Sequence, residues 1–141
     1  MIYTIGHSNR SLEHFIQILE HYDIEVLVDV RQFPRSRHNP QFNKEYLERE
    51  FPENDIQYLW IEKLGGFRKG GYEAYMKTDE FKEGLRALAQ IGEQKTSAVM
   101  CAELLWFKCH RSLISSWLSK QGWSVVHIHD EKKLVQHRLL F

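Results

Sequence analysis

Short apolar, β-rich segments alternate with amphipathic helical segments along this chain, and this alternation restricts its fold more than any other feature. After Leu12, apolar side chains recur three, four and seven positions later, as on one face of a helix. The predicted strands cover residues 1–5, 25–30, 56–60, 97–101 and 124–129. Because strand–helix–strand units join parallel strands, we predict a Rossmann-like, three-layer α/β domain over residues 1–141, with a mostly parallel five-stranded sheet and helices on both faces.

The composition excludes several classes of protein. Lysine plus arginine (19) equals aspartate plus glutamate (19), which argues against a protein that coats nucleic acid through a basic excess. A hydrophobic fraction of 43% and an aromatic fraction of 13% exclude a disordered chain. No apolar run approaches the roughly 18 residues of a membrane span, and residues 1–7 lack the features of a signal peptide. Two cysteines are too few for a disulfide framework, so we expect a protein of the reducing cytoplasm. The missing apolar run leads us to expect no membrane contact.

Turn and cap residues mark where the predicted helices begin and end. Ser11, Asn43 and Thr78 each precede a helical pattern and are predicted as N-caps. Pro52 is predicted to stop the second helix, and Gly122 to follow the last one. Residues 134–135 and 139–141 form an apolar tail that packs either on the domain or on a second copy, which leaves a homodimer open.

Polar and charged residues follow all five predicted strands at the same end. Ligands of open α/β sheets bind outside the carboxyl ends of the strands, so we expect the functional site there. The segments concerned are residues 6–10, 29–38, 63–71, 101–111 and 127–130.

Several of these segments form short motifs: TIGHSNR at 4–10, VDVR at 28–31, PQFN at 40–43, LGG at 64–66, MCAE at 100–103 and CHR at 109–111. Together they resemble the family catalogued as domain of unknown function 488, over residues 3 to about 129. The resemblance implies a stand-alone bacterial or archaeal cytoplasmic protein, and the family supplies no settled activity. The apolar stretch at residues 104–107 departs from the more polar turn that we expect in relatives.

Arginines are the strongest signal for a binding site, because a guanidinium group binds carboxylate or phosphate through a planar fork. We predict that Arg10, Arg31 and Arg111 hold an anionic substrate, with structural ion pairs as the alternative, such as Arg31 with Asp29. The other predicted substrate-binding residues lie in the same loops: Ser8, Asn9, Arg35, Gly65, Gly66 and His110.

Two kinds of catalysis are consistent with these loops. Glu103, His7 and Asp29 are candidates for acid–base chemistry, and salt bridges or backbone hydrogen bonds are their alternative roles. Cys109 precedes a predicted helix beside His110 and Arg111, which favours thiolate character. This permits nucleophilic or sulfur-transfer chemistry that faintly resembles rhodaneses, whereas the alternative is that Cys101 and Cys109 are inert buried thiols.

We identify no cofactor motif. The spacing of Cys101, Cys109, His110, His127 and His129 matches no structural zinc pattern, so we predict no metal site. Aromatic residues near the loops, among them Phe33 and Phe67, stack on a base or sugar or else anchor the loops.

The function expected from the sequence is an enzyme that hydrolyses, or transfers a group from, a nucleotide or nucleic-acid fragment. The alternatives are a nucleic-acid-binding module without catalysis and thiol chemistry at Cys109.

Overall fold

The computed structural model describes residues 1–138, whose backbone forms one mixed sheet of six strands. The strands are β1 (Ile2–Gly6), β2 (Val26–Asp29), β3 (Gln57–Trp60), β4 (Ser97–Cys101), β5 (Val125–Asp130) and β6 (Lys133–Gln136). Their order across the sheet is β3-β2-β4-β1-β5-β6, and β1 to β5 run parallel. The predicted α/β class with a mostly parallel sheet is confirmed.

Helices cover both faces of this sheet. They are α1 (Leu12–His21), α2 (Lys44–Glu53), the single turn α3 (Tyr72–Tyr75), α4 (Asp79–Gln94) and α5 (Arg111–Lys120). Phe15 of α1 and Phe51 of α2 pack with Leu27 of β2 in one core. Leu85 of α4 and Ile114 of α5 pack with the neighbouring strand residues in the second core. Adjacent strand residues point to opposite faces, and both faces are covered, which explains the continuous apolar strands.

Local signals predicted the starts of α1 and α4 correctly. The Ser11 side chain accepts a hydrogen bond from the His14 N–H at 3.0 Å, and Thr78 Oγ1 accepts one from the Phe81 N–H at 3.2 Å. Asn43 precedes α2, but its side chain accepts from the Ser36 N–H instead of capping the helix. Pro52 lies inside the last turn of α2 rather than ending it, because α2 continues to Glu53.

The sixth strand corrects the prediction of five. Residues predicted as a tail form β6, which pairs antiparallel with β5 after a turn at residues 131–132. This turn contains no glycine or asparagine, so the usual hairpin signal is missing. Residues 134–135 thus pack on the domain's own sheet, whereas residues 139–141 lie outside the described residues.

The topology creates a crevice at the carboxyl edge of the sheet. β1 and β4 are neighbours, yet α1 leaves β1 toward one face and α5 leaves β4 toward the other. Neighbouring strands whose connections diverge in this way open a ligand crevice in α/β proteins. The loops that follow β1, β2 and β4 therefore surround the candidate site.

Among residues 1–138, no helix combines the length and the apolar character needed to cross a bilayer.

A buried histidine chain joins β5 to the segment after β6. His127 Nδ1 lies 2.5 Å from Thr4 Oγ1, and His127 Nε2 lies 2.8 Å from His137 Nδ1. The indole of Trp106 stacks on the His127 ring at 4.3 Å. Burial, reinforced by the charge of Arg111, lowers the pKa of His127 from 6.5 to about 3. His127 is therefore neutral in the folded protein at any pH near neutrality.

Acidification is expected to destabilise the fold through His127. As pH falls from 6.5 toward 3, this side chain takes up a proton in the unfolded chain but stays neutral in the folded one, so the free energy of unfolding decreases. At about pH 4.5 the loss from this residue is roughly 2 to 3 kcal/mol. Urea unfolding from pH 7.5 to 4.5 measures it, and a His127→Gln variant should show a shallower dependence than the control His38→Gln at an exposed position. Equal slopes for the two variants would contradict this assignment.

Candidate functional site

The crevice contains a cavity of about 550 Å³. Loops after β1, β2 and β4 and the glycine-containing loop after β3 form its walls. The structure brings these sequence-predicted residues together as lining residues: His7, Arg31, Arg35, Gly66, Cys101, Glu103, Cys109 and His110. This volume is typical of a small-molecule site.

Asp29 and Arg31 form a buried ion pair beneath the cavity. Arg31 Nε donates to Asp29 Oδ1 at 2.9 Å, and Arg31 Nη2 donates to Asp29 Oδ2 at 2.7 Å. The Tyr58 hydroxyl also donates to Asp29 Oδ2, at 2.5 Å, and burial raises the pKa of that hydroxyl. The structural pairing considered for Arg31 is thus present, and its bidentate fork is occupied.

His7 lies above this ion pair as a neutral imidazole. Its Nδ1–H donates to the Ser8 carbonyl at 2.8 Å, and its Nε2 accepts from Arg31 Nη1 at 3.3 Å. The ring stacks on Phe42 at 4.4 Å. Burial is the main cause that lowers the pKa of His7 to about 4, and the charge of Arg31 contributes. At neutral pH the His7 imidazole is therefore uncharged, and its Nε2 lone pair accepts the hydrogen bond from Arg31.

The two cysteines meet at the cavity wall. Cys101 ends β4 and is buried, whereas Cys109 is partly exposed after a 3₁₀ turn at Trp106–Lys108. Their sulfur atoms are 3.0 Å apart, and both thiols are free. Hydrogen bonding from Cys101 lowers the pKa of Cys109 to about 7 against the effect of burial, and the charge of Arg111 adds to it. The same hydrogen bond and burial raise the pKa of Cys101.

Arg111 is a buried cation behind the thiol pair. Its Nη2 donates to the carbonyl oxygens of Glu103 (3.3 Å) and Leu104 (3.2 Å). Among the described residues, Nε and Nη1 of Arg111 have no hydrogen-bond partner. Its backbone N–H lies 3.4 Å from Cys109 Sγ and donates to it. The positive charge of Arg111 therefore favours a thiolate at Cys109.

His110 faces the cavity from the N-terminus of α5. Its Nε2–H donates to the Val30 carbonyl at 2.8 Å, which leaves Nδ1 toward Gly66. A Cβ at residue 66 would lie 3.1 Å from this nitrogen, so a side chain there would press on the ring. Burial lowers the pKa of His110, which keeps Nδ1 available as an acceptor at neutral pH.

Glu103 lies in the loop after β4, and this loop packs closely on Gly6. A Cβ added at Gly6 would overlap the carbonyl oxygen of Glu103. The Glu103 side chain accepts a hydrogen bond from the Leu105 N–H at 3.3 Å. Its carboxylate is partly exposed and lines the cavity, as a general acid or base requires.

Other predicted site residues do not line the cavity. Arg10 reaches toward β5, where Nη2 donates to the His129 carbonyl at 2.5 Å. The Ser8 hydroxyl donates to the Asn9 side chain at 3.5 Å, on the outer side of the loop. Gly65 lies against Gln32, because a Cβ there would be 2.6 Å from Gln32 Cα. Asp29 and Arg111 lie behind the wall.

Sequence reasoning did not single out four of the lining residues: Gln32, Ser36, Ala102 and Lys108. All four stand in loops that already contained predicted residues, and Ala102 lies within the MCAE motif. Phe33 and Phe67, considered as stacking residues, are exposed at the cavity wall.

The five residues considered as metal ligands do not assemble. His127 lies in the chain with Thr4 and His137, and His110 Nε2 is occupied by the Val30 carbonyl. Within residues 1–138, no group of three or more His, Cys, Asp or Glu side chains is placed to hold a metal ion.

A family model described as domain of unknown function DUF488 matches residues 11–118. This segment contains Asp29, Arg31, both cysteines and Arg111, and its match confirms the resemblance found in the motifs. No curated protein and no solved structure matches the chain.

Removing the Asp29 charge is expected to destabilise the fold strongly. An Asp29→Asn substitution leaves Arg31 as a buried cation without a counter-ion, which costs about 3 kcal/mol or more of unfolding free energy. The matched control is Glu45→Gln, which breaks the Arg35–Glu45 pair (3.5 Å, side chains 79% and 65% exposed) and should cost less than about 1 kcal/mol. Urea unfolding of both variants measures the difference. Similar losses of unfolding free energy in the two variants would contradict a stabilising role for the buried Asp29–Arg31 pair.

Proposed function

We infer that this chain, which belongs to the family described as domain of unknown function DUF488, is a dithiol enzyme with Cys109 as nucleophile and Cys101 as resolving thiol. The observation that carries this proposal is the 3.0 Å separation of the two free sulfur atoms at the wall of the cavity. A disulfide needs about 2.05 Å, so a movement of roughly 1 Å joins them.

Exposure and ionisation assign different roles to the two thiols. Cys109 is partly exposed and has a pKa of about 7, so about half of it is thiolate at neutral pH. Cys101 is buried and its pKa is raised, so it stays protonated until a neighbouring sulfur becomes electrophilic. Nucleophilic attack requires the thiolate, and a buried second thiol is protected from competing reactions.

The proposed reaction is thiol–disulfide exchange. The Cys109 thiolate attacks one sulfur of a substrate disulfide, which forms a mixed disulfide and releases the first substrate thiolate. Cys101 Sγ then attacks Cys109 Sγ, its proton passes to the departing second substrate thiolate, and a Cys101–Cys109 disulfide is left. The protein gives two electrons, and each released thiolate takes up a proton. A thiol reductant, as a reducing cytoplasm supplies, returns the pair to the dithiol state.

Charges around the cavity favour an anionic substrate. The exposed cations Arg35 and Lys108 line the cavity, and Arg111 lies behind Cys109. Cationic side chains at the rim of a cleft raise the local concentration of an anion. The predicted anion-binding cleft is therefore part of this proposal, with Arg35 and Lys108 as the accessible cations.

Acid–base chemistry on a nucleotide-type substrate is a second candidate, because Glu103 and His7 line the same cavity as Cys109. In this alternative, the carboxylate of Glu103 exchanges protons with the substrate, and His7, whose Nε2 already accepts from Arg31, serves as a contact. A Glu103→Gln variant separates the two functions, since thiol exchange needs no carboxylate and a hydrolytic reaction would lose its turnover.

Cys109 is expected to react faster than Cys101 and than an ordinary thiol. At pH 7 its greater thiolate fraction, less the lower nucleophilicity of a more acidic thiol, should raise the iodoacetamide alkylation rate about three- to fourfold over a thiol of pKa about 8.5. Mass spectrometry of the peptides identifies the labelled cysteine. Preferential labelling of Cys101, or slow labelling of both, would overturn the assignment.

Single variants test the two roles. With 3,3′-dithiodipropionate, an aliphatic dianionic disulfide, Cys101→Ala should accumulate the mixed disulfide at Cys109 because the resolving thiol is absent. Cys109→Ser should form no adduct, and the unmodified chain should release two thiols and acquire an internal disulfide. An unmodified chain that stops at the mixed disulfide would exclude Cys101 as the resolving thiol.

A further inference from the structure

Two phenylalanines are exposed at the wall of the cavity. Phe33 is 66% exposed and Phe67 is 88% exposed, although both residues are large and apolar. Their ring centroids lie 6.3 Å apart with the planes inclined by 29°. Both line the cavity that contains Cys109, so this aromatic pair belongs to the proposed active site rather than to a separate surface.

The backbone at Phe67 is strained. Its φ of +54° lies in the left-handed region, which a bulky residue avoids. The exposed ring gains little from packing that would offset this strain. Such strain in native proteins is concentrated at functional sites, where the surrounding structure enforces it.

The loop that carries Phe67 is braced on its inner side. Arg68 Nε donates to the Gly65 carbonyl at 2.9 Å, and the Arg68 guanidinium lies 4.1 Å from the centre of the Tyr75 ring. Arg68 also pairs with Glu62 at 3.2 Å. These contacts hold residues 62–68 in one conformation, with the Phe67 ring projecting outward.

The loop that carries Phe33 is held independently. Trp60 Nε1 donates to the Arg31 carbonyl at 2.7 Å, and the Lys44 N–H donates to the Pro34 carbonyl at 2.9 Å. The two loops also touch where Gly65 lies against Gln32. The backbone positions of Phe33 and Phe67 are therefore fixed relative to each other before any ligand binds.

We propose that Phe33 and Phe67 bind a flat aromatic or heteroaromatic group of the anionic substrate that reacts at Cys109. The proposal rests on the dithiol function and names the chemical class of its substrate. Two neighbouring aromatic rings on one wall favour a planar group, while Arg35 and Lys108 at the same wall attract its negative charge. A cavity of about 550 Å³ accommodates one ring with an acidic substituent.

The test compares an aromatic with an aliphatic dianionic disulfide: 5,5′-dithiobis(2-nitrobenzoate) and 3,3′-dithiodipropionate. Phe67→Asn removes the ring and places a residue that tolerates positive φ. It should lower kcat/KM about tenfold for the aromatic disulfide and leave the aliphatic rate within about twofold. The control is Tyr46→Asn, at an aromatic residue of α2 that is 45% exposed and does not line the cavity, which should change neither rate.

Stability separates recognition from a structural role. Because Asn relieves the strain at residue 67, the unfolding midpoint of Phe67→Asn should rise by a few degrees while selectivity falls. A lowered midpoint, or an equal loss of rate with both disulfides, would overturn the proposal. A change from dimer to monomer in sedimentation would also overturn it, since the pair would then be a self-association contact.

Binding to a variant that cannot react distinguishes this proposal from the dithiol function. By calorimetry, Cys109→Ser should bind 2-nitrobenzoate about tenfold more tightly than hexanoate, and this preference should vanish when Phe67→Asn is added. If the unmodified chain fails to exchange thiols but this preference is found, the dithiol reaction is refuted and the aromatic pair is still supported. Equal affinities for the two ligands would refute the aromatic pair.

Discussion

The buried pair of Asp29 and Arg31 organises the carboxyl edge of the sheet. Asp29 ends β2, and its carboxylate accepts hydrogen bonds from Arg31 and from Tyr58 of β3. Arg31 in turn donates to the Phe42 carbonyl and to His7 after β1. One ion pair thus connects the ends of three strands and a loop, and it holds together the residues that lie beneath the cavity. Since either charge alone would be buried without a partner, both must be present for this edge to form.

The thiol pair depends on a second buried charge. The loop after β4 returns through a 3₁₀ turn, which brings Cys109 back over Cys101, and Arg111 holds the loop by its carbonyl oxygens. Among the described residues, Nε and Nη1 of Arg111 have no hydrogen-bond partner, and its positive charge adds to the Cys101 hydrogen bond in lowering the pKa of Cys109. The acidity of Cys109 is therefore a property of the loop conformation, which explains why two thiols at the same wall differ in ionisation.

Local patterns predicted the elements but not the contacts between loops. The apolar segment at residues 97–101 predicted β4 at its observed bounds. The caps Ser11 and Thr78 were predicted correctly because an N-cap side chain bonds to a backbone N–H only three residues further along. The approach of Cys101 to Cys109 depends on the path of the loop between them, for which no periodicity exists. The strand β6 was missed because its turn lacks glycine, and no local pattern predicts the exposure of Phe67.

Gly6 limits which sequences can adopt this fold. The space beside its Cα is occupied by the carbonyl group of Glu103, so even a methyl group would push the β4 loop away from the sheet. That carbonyl accepts from Arg111, and the same loop ends at Cys109. A substitution at residue 6 therefore changes the chemistry of residue 109 without touching it. At this position the requirements of folding and of the proposed thiol chemistry coincide, and a mutational scan would find one permitted amino acid for both.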